Sequence, residues 1–311
     1  MKTVFFDDDA DILDLRYDIA FKAVFAQGHP RSRKALGGLV SACIGREVSV
    51  IAITANEPAP VSPWAKQIRY DIACRFESGE LADIEITLHP ATDEPFREEY
   101  YAARLFSSQD IRGAETDYGD LKNTYQINIL AEDIRWQDND IVHCFRFYDE
   151  KHVLSFKGKM HIITVELSKA GMIAQEKSVA QMSPEEAWAV FLHYHTEKKK
   201  RPLVNEILKE REDIAMAGET ALSFSKEELE WFRNESKLKY ELDMQSMRVR
   251  AKREGRAEGL AEGLAEGKEE GRAEGRAEEK IETARKLKTM GLPFSQITEA
   301  TGLSSEEIKK L

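Results

Sequence analysis

The stretch "IRYDIACRFESGELADIEITL" (68–88) constrains the fold more than any other part of the chain. "ESG" (77–79) suits a three-residue hairpin loop with Gly79 in the left-handed position that such a loop demands. That turn faces Ile68 with Leu88, Tyr70 with Ile86, Ile72 with Ile84 and Cys74 with Ala82, which makes one wholly apolar face. The other face pairs Arg69 with Thr87, Ala73 with Asp83, and Asp71 with Glu85. A two-residue turn would set Asp71 against Ile86 and mix the faces, so burial patterning selects the first register.

Directly opposed residues have β-carbons roughly 4.5–5.5 Å apart, and like charges there repel. Two carboxylates so placed must share a proton, recruit a cation or reach water. A hard divalent ion with oxygen ligands, Mg2+ or Mn2+, resolves the repulsion and leaves positions for water and phosphate. The alternative is a face open to solvent with Arg69 neutralising its neighbours.

The surrounding segments read as an α/β domain. "DLRYDIAFKAVFAQ" (14–27) has helical spacing, "VSVIAIT" (48–54) is a β-branched strand, and "TDEPFREEYYAARLFSSQ" (92–109) is a helix capped at Thr92. "NTYQINIL", "DIVHCFRFYD" and "KMHIITVEL" predict three further strands. The expected layout is a sheet core over 1–168 and a helical region over 169–235 that completes or packs on it. A basic and then Gly-rich helix or linker follows over 236–283, and a small helix-turn-helix-like module over 284–311. In the helical region "SPEEAWAVFLHYH" opens with a Ser183 cap and Pro184. His193 and His195 lack an acidic or thiol companion at ligand spacing, which predicts a helix surface.

Residues 233–256 hold eight Arg or Lys against four Asp or Glu, although the whole chain carries a net charge of −11. That overall charge excludes a protein that coats nucleic acid through a global basic field, but not an enzyme with a local basic site. In "EGRAEGLAEGLAEGKEEGRAEGRAEEK" glycine recurs every fourth residue from Gly255 to Gly275. Each costs a helix about 1 kcal/mol relative to alanine. Two readings stay open: a solvated semi-flexible spacer, or a helix that pairs through its Gly/Ala stripe in a homo-oligomer. In the last segment Gly302 precedes Ser304 and Glu307, spaced as a capping box.

Cys43, Cys74 and Cys144 have no metal spacing and read as buried free thiols of a reducing compartment. No apolar run approaches a membrane span, and the acidic start "MKTVFFDDDADILD" is unlike a signal peptide. A cytoplasmic protein without a membrane partner is expected. Phosphate-binding glycine loops and G-x-S-x-G are missing from the sequence.

Asp71 followed by Glu85-Ile86-Thr87 on the next strand resembles the half-site of PD-(D/E)XK nucleases. "YDIAFKAVF" (17–25), the hairpin, "FREEYYAARLFSSQDIRGAETDYGDLKNTYQINIL" (96–130) and the Gly-rich tail ending "GLSSEEIKKL" narrow the resemblance. Together they resemble the Rpn family of recombination-promoting nucleases, transposase-like members of that superfamily. The resemblance implies a restriction-endonuclease-like mixed sheet flanked by helices, with a helical C-terminal extension. It implies a divalent-metal-dependent DNA endonuclease with Mg2+ or Mn2+ held by Asp71, Glu85 and the main-chain carbonyl of Ile86, and Asp18 as the upstream acid. Lys22 is implied at phosphate, and Arg97, Tyr100, Tyr101 and Gln109 near the cleft. Thr87 departs from the superfamily, where lysine is usual; threonine can hydrogen-bond water but brings no charge. Electrostatic support then falls to Arg69 or Lys22. The alternative is a catalytically weakened DNA-binding or scaffold protein that keeps the fold.

Overall fold

The computed structural model describes residues 4–54, 57, 67–90, 94–109, 111 and 117–311. The expected cap at Thr92 lies outside them. Two compact units divide the chain, Met1–Tyr240 and Glu241–Leu311.

In the first unit, helices α1 (Asp18–Phe25) and α2 (Pro30–Ile44) precede β1 (Val50–Ile53), β2 (Ile72–Phe76) and β3 (Leu81–Thr87). Then come α3 (Glu94–Ser107), β4 (Thr124–Leu130), β5 (Val142–Phe145), the short pair β6 (Tyr148–Asp149) and β7 (Leu154–Ser155), and β8 (Met160–Glu166). Helices α4 (Ala170–Glu176), α5 (Pro184–Tyr194), α6 (Arg201–Glu210) and α7 (Glu212–Leu222) follow. The long helix α8 (Lys226–Thr289) then runs into the second unit. The segment read as one strand over 140–149 is thus two, β5 and β6.

Six strands form a mixed sheet in the order β1-β2-β3-β4-β8-β5. The β2–β3 hairpin has the expected register, with Ile72 opposite Ile84, Ala73 opposite Asp83 and Cys74 opposite Ala82, and Gly79 has φ +85°. β3 runs parallel to β4, and β4 parallel to β8.

Alternation along these strands sorts the two faces. Ala82, Ile84 and Ile86 of β3 join Ile127, Ile129, Ile163 and Val165 in the main core, together with side chains of α1, α2, α5, α6 and α7. On the opposite face Ala73 and Leu81 pack with Leu105 of α3. Asp83 and Glu85 share that parity, as do Gln126, Asn128, Thr164 and Glu166 in the strands alongside, and all six are buried. The sheet is therefore apolar on one side and polar on the side that α3 covers. In central strands buried on both faces, a nearly continuous apolar run would be ordinary.

The apolar hairpin face does not extend as far as the sequence suggests. Ile68 and Tyr70 pack with Ala73, Leu81, Leu105 and Tyr101, away from the core that holds Ile72. Tyr70 and Ile72 are two residues apart, so a regular strand would keep them on one face; the chain bends at Asp71 instead.

Helix α2 has no counterpart among the sequence expectations, and Gly37-Gly38 in its middle explains why. A Cβ on Gly38 would lie 2.1 Å from Oδ2 of Asp213 in α7, so glycine is what allows the two helices to approach. His195 is not on a surface. It is fully buried, with Nδ1 donating to the Leu192 carbonyl at 3.0 Å and Nε2 accepting from the Leu15 amide at 3.0 Å. Cys43 and Cys74 are buried, whereas Cys144, on edge strand β5, is exposed. The Ser183 cap and Pro184 stand as expected, and Glu186 completes a capping box.

In the second unit the glycine repeat is helical throughout α8. The end of α8 packs with α9 (Phe294–Thr301) and α10 (Ser305–Lys310) around Ala284, Ile297 and Ile308. Ser304 and Glu307 form the expected capping box. Among the described residues no helix is long and apolar enough to cross a membrane.

Candidate active site

Asp71 and Glu85 meet as expected, although Asp71 sits at the bend just before the paired part of β2. The Asp71 amide donates to Glu85 Oε1 at 2.8 Å, and the Ile86 amide lies 3.4 Å from Asp71 Oδ2. Each carboxylate thus spends one oxygen on the main chain of the other strand. The remaining oxygens face cations from two helices. Lys22 Nζ of α1 lies 2.6 Å from Asp71 Oδ1, and Arg97 Nη2 of α3 donates to Glu85 Oε2 at 2.8 Å.

Lys22 also ties in Asp18, whose Oδ2 is 3.7 Å from the same ammonium and is ion-paired with Lys239 of α8 as well. Asp18 therefore reaches the cluster through Lys22 rather than through a shared ligand position. Burial works against the charge on Lys22, but Asp71 outweighs it and holds the ammonium above its usual range.

Glu85 is pushed up to about 7, first by burial and then by the charge of Asp71, with Arg97 pulling the other way. Two residues back on the same face, Asp83 is fully buried and neither of its oxygens has a hydrogen-bond partner. Burial, reinforced by Glu85, drives it well above the carboxylate range. Its neighbours Gln126 and Asn128 bond to each other at 3.1 Å. Three carboxyl groups on or beside β3 thus lie in an environment that penalises their combined charge.

Arg69 is not part of this arrangement. Its side chain is 70% exposed and pairs with Glu57, because the bend at Asp71 ends the regular alternation that would have set it over Thr87. Arg97 supplies the cation instead, and it also lies 4.9 Å from the centre of the Tyr101 ring. Tyr101 packs edge-on against Tyr70, Tyr100 is exposed, and Gln109 bonds to the main chain of Lys122 at both ends of its amide. Thr87 closes β3 half-buried, its carbonyl accepting from the Ala131 amide at 2.8 Å.

Asp83 was expected opposite Ala73 but with no part in the site, and Lys239 was absent from the sequence expectations. The alternation of polar residues in "LADIEIT" and "TYQINIL" is the signal that could have found Asp83, whereas no local pattern links Lys239 to Asp18.

The donor set of Asp71 and Glu85, all carboxylate oxygen, fits a hard divalent ion, and each has one oxygen bound only to a side-chain cation. Among the described residues one triad of ligating side chains lies close enough to share an ion elsewhere: Asp138, Asp140 and His143. There Lys169 Nζ already sits 2.8 Å from Asp138 Oδ1, the Asp140 carbonyl and Glu166 Oε2.

The family whose model matches residues 15–251 is described as the PD-(D/E)XK nuclease family transposase. The chain belongs to that family. The match spans the sheet, the helices on both of its faces and the start of α8, and so includes Asp18, Lys22, Asp71, Glu85 and Arg97. The mixed sheet flanked by helices is the PD-(D/E)XK architecture, and divalent-metal chemistry is general among such nucleases. No match was found among curated proteins or among solved structures.

Proposed function

We propose that this protein is a divalent-metal-dependent DNA endonuclease that hydrolyses phosphodiester bonds, of the recombination-promoting, transposase-like type. The observation that carries this reading is the pairing of Asp71 with Glu85, bracketed by Lys22 on one side and Arg97 on the other. Mg2+ or Mn2+ is the ion the donor set suits, with Asp71, Glu85 and the Ile86 carbonyl as its holders. When bound it supplies Lewis-acid polarisation of the phosphoryl oxygen and a lowered pKa for water.

The chain's own residues do the rest. The two main-chain bonds between the strands fix both carboxylates before any ion arrives, so little reorganisation is left to pay at binding. Lys22, fixed by Asp18 and Asp71, is a positive charge available to the non-bridging oxygens as negative charge builds on them. Arg97 favours the ionised form of Glu85 and offsets part of the rise that burial and Asp71 cause. Thr87 offers a hydroxyl to orient water.

Incubating supercoiled plasmid with the protein tests this. Nicked or linear product with Mg2+ or Mn2+, and none with chelator, supports it; no product with either ion contradicts it. A second reading, a DNA-binding protein with a weakened site, rests on Thr87, which brings no charge to the position where the superfamily usually has lysine. It predicts DNA binding without nicking.

A further inference from the structure

Arg201, the first residue of α6, is 2% exposed. Its Nη1 donates to the His195 carbonyl at 2.5 Å and its Nη2 to the Ala10 carbonyl at 3.0 Å. The guanidinium lies 5.4 Å from the centre of the Phe6 ring, and Nε has no partner. Carbonyls satisfy hydrogen bonds but leave the charge whole, and a buried charge without a counterion is costly. Among the described residues no carboxylate is in ion-pair contact with it; the charges of Asp8 and Asp11 act on it only from farther away.

Arg201 lines a cavity of about 430 Å³, within the range of small-molecule sites. Tyr17 just before α1, Lys198 before α6, and Arg233 and Lys237 of α8 also line it. The acids in its wall are already taken. Asp11 pairs with Arg233, and Asp14 accepts from Arg16 at 3.0 and 2.8 Å. Lys198, Arg201 and Lys237 are thus without a carboxylate in ion-pair contact among the described residues, and the first two turns of the basic stretch that begins at Arg233 form one wall. The cavity adjoins the carboxylate cluster: Tyr17 in its wall precedes Asp18, and Lys239, two residues after Lys237, pairs with Asp18.

We propose that this cavity binds a backbone phosphate of the nucleic-acid strand whose cleaved phosphodiester lies at Asp71 and Glu85. The assignment rests on the nuclease reading. Arg201 is a buried, fixed positive charge in the cavity wall, while Lys198 and Lys237, both exposed, are free to close on the phosphate.

The test is binding of a labelled DNA duplex by the full chain in chelator, over a range of salt, with inorganic phosphate as a competing arm. Arg201 also ties three segments together, so the variant is Lys198→Ala combined with Lys237→Ala. Each neutralised phosphate that is lost lowers the slope of log affinity against log salt by about 0.9, so a drop of about 1 is expected for the one phosphate, with about tenfold weaker binding at low salt. Wild-type affinity and slope in the double variant would overturn the assignment, as would failure of the wild type to bind DNA. Loss of duplex binding to inorganic phosphate in the wild type but not in the double variant would support it; equal competition in both would count against it. The nuclease reading fails separately: the double variant can lose binding while no metal produces nicking of plasmid by the wild type. Conversely, a double variant that binds and nicks like wild type removes the cavity and leaves the nuclease.

Discussion

The main-chain amide of Asp71 donates to Oε1 of Glu85 at 2.8 Å, tying the bend that begins β2 to the middle of β3. That bond holds two carboxylates close together while Lys22 and Arg97 offset their charge from opposite helices. The cations stabilise the arrangement and also compete with an added ion.

Lys22 therefore has two separable effects. Lys22→Met is expected to lower cleavage about a hundredfold, the usual scale for removing one fixed electrostatic group from a reaction site. Its affinity for Mn2+ should be equal or greater, because Asp71 Oδ1 loses its competitor. Single-turnover nicking and calorimetric titration read the two quantities independently.

Arg97 and Arg69 should differ. Arg97→Ala removes the cation on Glu85 and is expected to lower nicking by about two orders of magnitude. Arg69→Ala breaks only an exposed pair with Glu57 and should leave the rate within about threefold. Equal losses in both variants would mean that the bend at Asp71 is misplaced.

The pH dependence follows from Glu85. Its folded value of about 7 exceeds its ordinary 4.5, so the folded state holds an extra proton between those limits. The contribution of Glu85 to stability without metal is then fully present below about 4.5 and is lost as pH rises towards 7, on the order of 3 kcal/mol. Glu85→Gln removes this decline, so its advantage in denaturant midpoint over wild type should be larger at pH 8 than at pH 5.5, in chelator. Saturating Mn2+ should stabilise the wild type more as pH rises, because the ion requires the carboxylate.

At Gly255, Gly259, Gly263, Gly267, Gly271 and Gly275 an added Cβ meets nothing within 4 Å. Replacing all six by alanine should raise helicity, by about 1 kcal/mol per site in local stability, with the mass by light scattering unchanged. Loss of a dimer on substitution would show instead that the glycines bring helices of two copies together.

Much of this was legible in the sequence, for identifiable reasons. Gly79 fixes the turn, and period-two alternation then fixes the register of Asp83 and its neighbours against β2. What failed was extrapolation of a regular strand past Asp71: the bend sends Tyr70 and Ile68 to the α3 side and Arg69 out to Glu57. Helix α2 was hidden because Gly38 serves a contact with Asp213, far away in sequence. His195 was misplaced for a similar reason, since the Leu15 amide that donates to it is remote in the chain. The glycine repeat is helical because alanine, glutamate, arginine and leucine, all strong helix formers, fill the positions between glycines.

The most direct test is the anomalous difference map of crystals of the full chain grown with Mn2+. A peak within about 2.0–2.2 Å of carboxylate oxygens of both Asp71 and Glu85 is the result expected for a small hard ion. A peak only at Asp138, Asp140 and His143, with Asp71 and Glu85 still held by Lys22 and Arg97, would contradict the assignment of the hairpin as the metal centre.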